Sequence, residues 1–324
     1  MNTTICVFVL ALAVAAGVEA SSAQTSATSC CPQTPTKEKQ LALWQKLEDR
    51  IADVDRHLDG TMGVAILDLT DGKTFLLRGD EVFAQASSIK IAVLAELYRQ
   101  EQRGRHGEQG VARLSDLYTV RSEDMVPDSS IMLGLTPGVT KVTNRDLATM
   151  MVAVSDNSAT NVLIDRVGMA NVEGMLAGLG LKNTHLRRKM MDLEAARQGR
   201  ENLSTPREMM TLLETIYRNK LLDRDLTADF FKVLSTAKDS SIPKLLPAGL
   251  VIANKPGELE AVRNDSGIVF VPNRAFVICV MTSYLQDELA GQRAISEIAL
   301  AAYRYFDRLG RSSEYGRAVP PPAK

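Results

Sequence analysis

Residues 83–97 read Phe83-Ala84-Gln85-Ala86-Ser87-Ser88-Ile89-Lys90-Ile91-Ala92-Val93-Leu94-Ala95-Glu96-Leu97. The pattern of the chain changes inside this stretch. Before it, Val64, Ile66, Leu67 and Leu69 lead into Asp71-Gly72, and Thr74 to Leu77 returns. Such a pattern around an Asp-Gly turn predicts a β-hairpin. After it, roughly residues 88–235 carry helical periodicity broken by loops. Ser87 and Lys90 stand at the change, three residues apart and just ahead of the apolar run Ile91 to Leu97. If that run is a helix, both side chains project from one face of its first turn. A hydroxyl there gains from free backbone N–H groups and the positive helix end. A lysine buried one turn on, with a lowered pKa, can remove its proton. Alone, the Ser-x-x-Lys spacing is weak, because a capping serine followed by a solvated lysine also produces it.

Working outward, Leu41, Leu43, Leu47, Ile51 and Val54 predict a helix over 38–58. Thr143 with Asp146 is a capping-box pattern, and Thr205-Pro206-x-Glu208 places a cap and a first-position proline. Strands are expected at Gly249–Ala253, Ser266–Val271 and Ala275–Ser283, then a closing amphipathic helix from Asp287 to Leu309. Strands therefore come from both ends of the chain and helices fill the middle. The fold class is α/β and two-lobed: an antiparallel sheet flanked by helices, with an all-α lobe inserted at about 88–235. The cleft between the lobes is the default site.

The chain has 324 residues, 45% apolar and 24% charged, which is ordinary globular composition. Its net charge of −1 offers no basic footprint, so nucleic acid is not an expected partner. The apolar run Ile5 to Val18 is too short to span a bilayer, and Val18-Glu19-Ala20 resembles a cleavage site. Residues 1–20 read as a signal peptide, although Met1 to Thr4 lacks Lys or Arg, and an uncleaved anchor is the alternative. The expected organisation is a polar linker at 21–37, a catalytic domain at 38–311 and a disordered tail at 312–324. A secreted or periplasmic monomer with no stable membrane insertion follows. Cys279 lies in the apolar run Phe276 to Val280 and reads as a buried small hydrophobe. Cys30 and Cys31 read as solvated, with a tether or an interchain disulfide as alternatives. His57, His106 and His185 have no metal-ligand spacing, and no Gly-rich phosphate loop occurs. No metal or cofactor is expected. Trp44 and the pairs Met150-Met151, Met190-Met191 and Met209-Met210 read as packing residues.

Two more short elements complete the candidate chemistry. Ser155-Asp156-Asn157 falls between two helices; its plain reading is a turn. Its functional reading is a hydroxyl that relays a proton and an amide that holds a substrate amide. Lys255-Pro256-Gly257 follows the strand expected to end at Ala253; its plain reading is a Pro-Gly turn. Its functional reading is a cation beside the nucleophile, with small Gly257 letting substrate approach a strand edge.

With Ser87-x-x-Lys90, Ser155-Asp156-Asn157 and Lys255-Pro256-Gly257 in this order, the chain resembles the penicillin-recognising serine hydrolases, most closely the class A serine β-lactamases. The resemblance covers about residues 40–310. It includes Asn144-Arg145-Asp146-Leu147, Asn161 and the Leu246-Pro247 before the last motif. It implies that Ser87 is the acylated nucleophile and Lys90 its general base, directly or through water. It implies that Ser155 passes the proton to the leaving nitrogen, Asn157 binds the substrate amide and Lys255 steadies a substrate carboxylate. Backbone N–H groups of Ser87 and Glu258 would form the oxyanion hole. The implied substrate is a β-lactam or a peptidoglycan-type peptide.

Two departures stand out. Counting from Arg188, the loop position where class A enzymes carry their deacylating Glu is Met190. A thioether takes no proton, so Asp192 or Glu194 would have to substitute. Pro256 replaces the motif's Thr or Ser, whose hydroxyl helps bind the β-lactam carboxylate; Arg263 is a candidate to compensate. Three functions therefore compete: a β-lactamase, a peptidase or esterase of the same fold with slow β-lactam turnover, and a non-catalytic binder.

Overall fold

The computed structural model describes residues 34–318; the expected signal peptide, Cys30, Cys31 and the tail beyond Ala318 lie outside them. In chain order, α1 spans Thr34–His57, β1 Thr61–Asp68, β2 Thr74–Leu77, β3 Phe83–Ala84, α2 Lys90–Arg105, β4 Leu117–Thr119 and β5 Lys141–Thr143. Then come α3 Asn144–Ala153, α4 Asn157–Val167, α5 Met169–Gly178, α6 Leu193–Arg197, β6 Leu203–Ser204, α7 Pro206–Tyr217 and α8 Arg224–Leu234. The chain closes with β7 Ile252–Leu259, β8 Val262–Val269, β9 Phe276–Ser283 and α9 Glu288–Arg311.

The main sheet has the order β2-β1-β9-β8-β7 and is antiparallel throughout. The hairpin turn places Gly72 at a φ of +80°, which a glycine adopts without steric cost. β1 is apolar on both faces because helices cover both. Val64 and Ile66 pack with Ile51 of α1 and Ile295 and Phe306 of α9. Ala65 and Leu67 belong to the other core, with α2, α7 and the helical lobe. Within that lobe, α2 is buried almost all round, from Ile91 to Tyr98. The Thr143–Asp146 capping box is present at α3, and the Thr205 side chain accepts from the Glu208 N–H at α7. Cys279 is fully buried.

Several boundaries differ from expectation. α1 starts at Thr34, inside the stretch read as linker. The helical lobe also holds the short pair β4–β5. Ser312 and Ala318 form a β-bridge in the segment expected to be disordered. The largest shift concerns β7, which begins at Ile252 and runs on to Leu259, through the Lys-Pro-Gly motif, where a strand ending at Ala253 and then a turn were expected. β8 correspondingly starts at Val262 and not at Ser266. β7 is an edge strand, which tolerates a proline.

Candidate active site

Ser87 sits on a 3₁₀ turn, Ala86–Ile89, that runs directly into α2. The expected α-helical first turn is thus a tighter one, in which residues three apart stack on one face. Ala86 enters it at a φ of +47°, a conformation that L residues adopt only where the surroundings hold them. The turn is clamped from the sheet edge. Ser88 Oγ donates to the Lys255 carbonyl at 3.1 Å, and Asn264 Nδ2 donates to the Ala84 carbonyl at 2.8 Å. A Cβ on Gly257 would lie 2.6 Å from the Gln85 carbonyl oxygen and 2.9 Å from Ser88 N. Gly257 is therefore required so that β7 can approach the turn carrying Ser87.

Lys90 is the first residue of α2 and has no solvent exposure. Its Nζ donates to the Ser155 carbonyl at 2.7 Å, Ser155 Oγ at 3.0 Å and Asn157 Oδ1 at 2.8 Å. Ser155 has a φ of +57°, and in that pose its carbonyl and hydroxyl both face the ammonium. Buried Asp156 fixes the pose. Its Oδ1 accepts from Ala159 N at the start of α4, and its Oδ2 from Ile131 N and Met132 N. Ser155 Oγ also lies 2.9 Å from Ser87 Oγ and 3.1 Å from Lys255 Nζ. Lys90 thus reaches Ser87 through the Ser155 hydroxyl, not through a direct hydrogen bond. Burial, reinforced by the charge of Lys255, drives the Lys90 ammonium well below its ordinary pKa.

Lys255 is also buried, and burial lowers its pKa to about 7 against the opposing pull of Asp265. Its Nζ donates to the Pro256 carbonyl at 3.1 Å, which turns that residue's backbone toward the cleft. Glu258, two residues on along the strand, presents its N–H on the same side. The Ser87 N–H has no hydrogen-bond partner among the described residues. Ser87, Ser155, Asn157, Lys255, Pro256 and Glu258 line one cleft of about 490 Å³.

Sequence reasoning missed two charged residues here. Lys238, just past α8, lines the same cleft. Asp265 lies on β8 opposite Pro256, fully buried, accepting from Ser241 N, Ile242 N and Asn254 Nδ2. Burial raises its carboxyl to about 6. Its one available signal was the polar run Asn264-Asp265-Ser266 entering an apolar strand.

All three substitutes proposed for the departures lie elsewhere. Asp192 is exposed and caps α6 by accepting from Ala195 N at 2.9 Å. Glu194 is exposed and accepts from Gln198 Nε2 at 2.7 Å. Neither lines the cleft. Arg263 turns away to the Leu259 and Val262 carbonyls and pairs with Glu288. The Met190 position itself is well defined. Met190 N donates to Asn161 Oδ1 at 2.8 Å, and Asn161 Nδ2 donates to the Met190 carbonyl at 3.1 Å. The neck of this loop is closed by Arg188 with Glu201 at 3.0 Å and by Asn202, which binds the backbone of Arg187 and Arg188.

Residues 46–306 match the β-lactamase enzyme family. The chain belongs to that family. Its β-lactamase relatives include SME-1 of Serratia marcescens, 27% identical over 273 residues that cover 80% of this chain and 88% of that protein. The solved β-lactamase of Sphaerobacter thermophilus is 29% identical with a TM-score of 0.72, over 81% of this chain and 97% of that one. A variant of PBP-A, solved as an acyl-enzyme complex with penicillin G, is 25% identical with a TM-score of 0.72, over 82% and 97%. The fold is thus that of the class A serine β-lactamases. No helix among the described residues is long and apolar enough to cross a membrane.

Proposed function

We propose that this β-lactamase-family chain is a serine hydrolase that opens a β-lactam amide by forming an ester on Ser87 and releases that ester slowly. The observation that carries the reading is the hydrogen-bonded line from Ser87 Oγ through Ser155 Oγ to Lys90 Nζ. With Lys90 neutral, its lone pair takes the Ser155 proton while Ser155 takes the proton of Ser87. Ser87 Oγ then attacks the carbonyl carbon and the C–N bond breaks. The Lys90 proton returns through Ser155 to the leaving nitrogen. The N–H groups of Ser87 and Glu258 would hold the oxyanion, each worth roughly 10²–10³ in rate. Asn157 Nδ2 donates one hydrogen to the Pro127 carbonyl at 3.4 Å and has a second for a substrate amide, while Oδ1 accepts from Lys90. Lys255 would face the substrate carboxylate.

One observation favours a second reading. Met190 stands where the class A pattern carries its deacylating Glu, neither Asp192 nor Glu194 reaches the cleft, and the carboxylates that line it, Asp128, Asp239 and Glu258, are exposed to solvent. An enzyme that acylates but deacylates slowly suits a peptidoglycan-type peptide or ester as natural substrate, with penicillin as a trapped analogue. The PBP-A acyl-enzyme with penicillin G gives that state a precedent in a related fold. Export through the N-terminal apolar run and a monomeric state complete the proposal.

A chromogenic cephalosporin assay run beside intact-mass labelling separates the readings. Continuous turnover supports a β-lactamase, and a persistent adduct on Ser87 supports the slow hydrolase. Neither signal leaves only a binder. N-terminal sequencing of protein from the native host tests export, with a start near Ser21 expected and an intact Met1 on cytoplasmic protein contradicting it.

A further inference from the structure

Lys238 has no place in the chemistry described so far. It lies four residues beyond the end of α8, and its Nζ donates to the Leu234 carbonyl at 2.9 Å. That bond uses one of the three donors of an ammonium. Lys238 forms no ion pair within 4 Å among the described residues, yet it lines the cleft with Ser87, Lys255 and Pro256. The two lysines are close enough for Lys238 to depress the Lys255 ammonium, and buried Asp265 acts on both. Asp265 is already engaged by two backbone N–H groups and Asn254. Two cations therefore share this wall over one shielded carboxylate. The wall also lacks a hydroxyl at position 256. The carboxylates lining the same cleft, Asp128, Asp239 and Glu258, are all exposed to solvent.

We propose that Lys238 is a specificity residue: a substrate carboxylate sits between the Lys255 and Lys238 ammonium groups, and Lys238 supplies the contact that Pro256 cannot. The inference rests on Ser87 being the acylation site. It selects amides and β-lactams that bear a free carboxylate next to the scissile bond over their neutral esters.

The test compares penicillin G with its methyl ester in the parent, Lys238→Met and Lys238→Arg. Acylation rate constants come from intact-mass time courses. A charge-assisted contact predicts that the acid-to-ester ratio falls about ten- to a hundred-fold in Lys238→Met and is largely kept in Lys238→Arg. An unchanged ratio in Lys238→Met overturns the proposal, and so does an equal loss for both probes, which marks a structural role. If no adduct forms on the parent, the acylation reading has failed by itself. Calorimetric binding of the same two probes to Ser87→Ala, with and without Lys238→Met, then decides. Loss of the acid preference supports the clamp, and retention overturns it.

Discussion

Met190→Glu tests the deacylation argument most directly. Asn161 clasps the main chain at this position through both its amide groups, so a side-chain change leaves the clasp intact. Asn161 follows Asn157 by four residues, about one turn of α4 and about 6 Å along the axis. The backbone at 190 is therefore anchored one turn from the side chain that holds the Lys90 ammonium. Glu and Met have similar volumes, so no sizeable cavity or overlap arises. Met190 is 7% exposed, and a carboxylate there is held partly out of water. That raises its pKa toward the range in which a general base works best at neutral pH. A positioned general base is worth about 10²–10⁴ in rate, or about 3–5 kcal/mol off the deacylation barrier. The parent is expected to show a burst of one product per enzyme and then a slow steady state. The variant is expected to lose the burst and gain two to four decades in steady-state rate. Stopped-flow turnover of a chromogenic cephalosporin reads both. Asp192→Asn and Glu194→Gln should follow the parent, because both carboxylates are engaged outside the cleft. Rapid, burst-free turnover by the parent and all three variants would refute the reasoning and place the base elsewhere.

Three further outcomes follow from the geometry. Lys90→Ala should slow acylation by about 10²–10⁴ while penicillin binding to the unreacted enzyme is kept, because a base acts in the transition state; equal acylation rates would contradict it. The acylation rate should be bell-shaped in pH: it rises as Lys90 loses its proton, well below the ordinary lysine range, and falls as Lys255 loses its charge at about 7. A rate that climbs monotonically to pH 10 would show that the Lys255 charge is not used. Gly257→Ala should lower the melting temperature by overpacking worth about 1–3 kcal/mol and slow acylation, since the new Cβ meets the Gln85 carbonyl and must displace the Ser87 turn; a melt and rate like the parent's would show that the strand yields freely.

What the sequence disclosed depended on where each residue's partner lay. Ser87, Lys90, Ser155 and Asn157 all sit at element starts, where caps and turn residues give local signals, and the fold brings all four together. Lys255 was found, and of the two settings its motif allows, a Pro-Gly turn and a strand edge, the structure has the edge. Pro256 and Gly257 read as a turn because both break ordinary strands. Here an edge position accommodates the proline, and the clamp on the Ser87 turn requires the glycine. Arg263, Asp192 and Glu194 were near the motifs in sequence only; strand direction and a short helix cap carry their side chains elsewhere. Lys238 had no local pattern to reveal it, and Asp265 had only the polar run Asn264-Asp265-Ser266. The register that sets Asp265 beside Pro256 joins two strands and is invisible along one.

The charges of the site explain why two lysines stand where burial is costly. The proposed acylation at Ser87 needs one amine neutral, to accept a proton, and one cationic, to hold an anion. Two identical side chains can divide these roles only if their surroundings push their titrations apart. Asp265 acts on Lys255 and favours its charged form. The charge on Lys255 then acts on Lys90 and favours its neutral form. Asp156 opposes that second effect, but its carboxylate is engaged by three backbone N–H groups. Ser155 Oγ touches both amines and the nucleophile, so it connects the proton acceptor, the cation and Ser87 at a single atom. Loss of the motif hydroxyl at Pro256 leaves this arrangement intact, because no member of the line passes through it. A methionine in place of a carboxylate at position 190 leaves it intact as well, since in the proposed route deacylation starts only after the line has formed the ester. In the proposed route both departures therefore fall on steps before and after bond formation, and Ser87, Ser155 and Lys90, to which that route assigns acylation, stand in one hydrogen-bonded line without them.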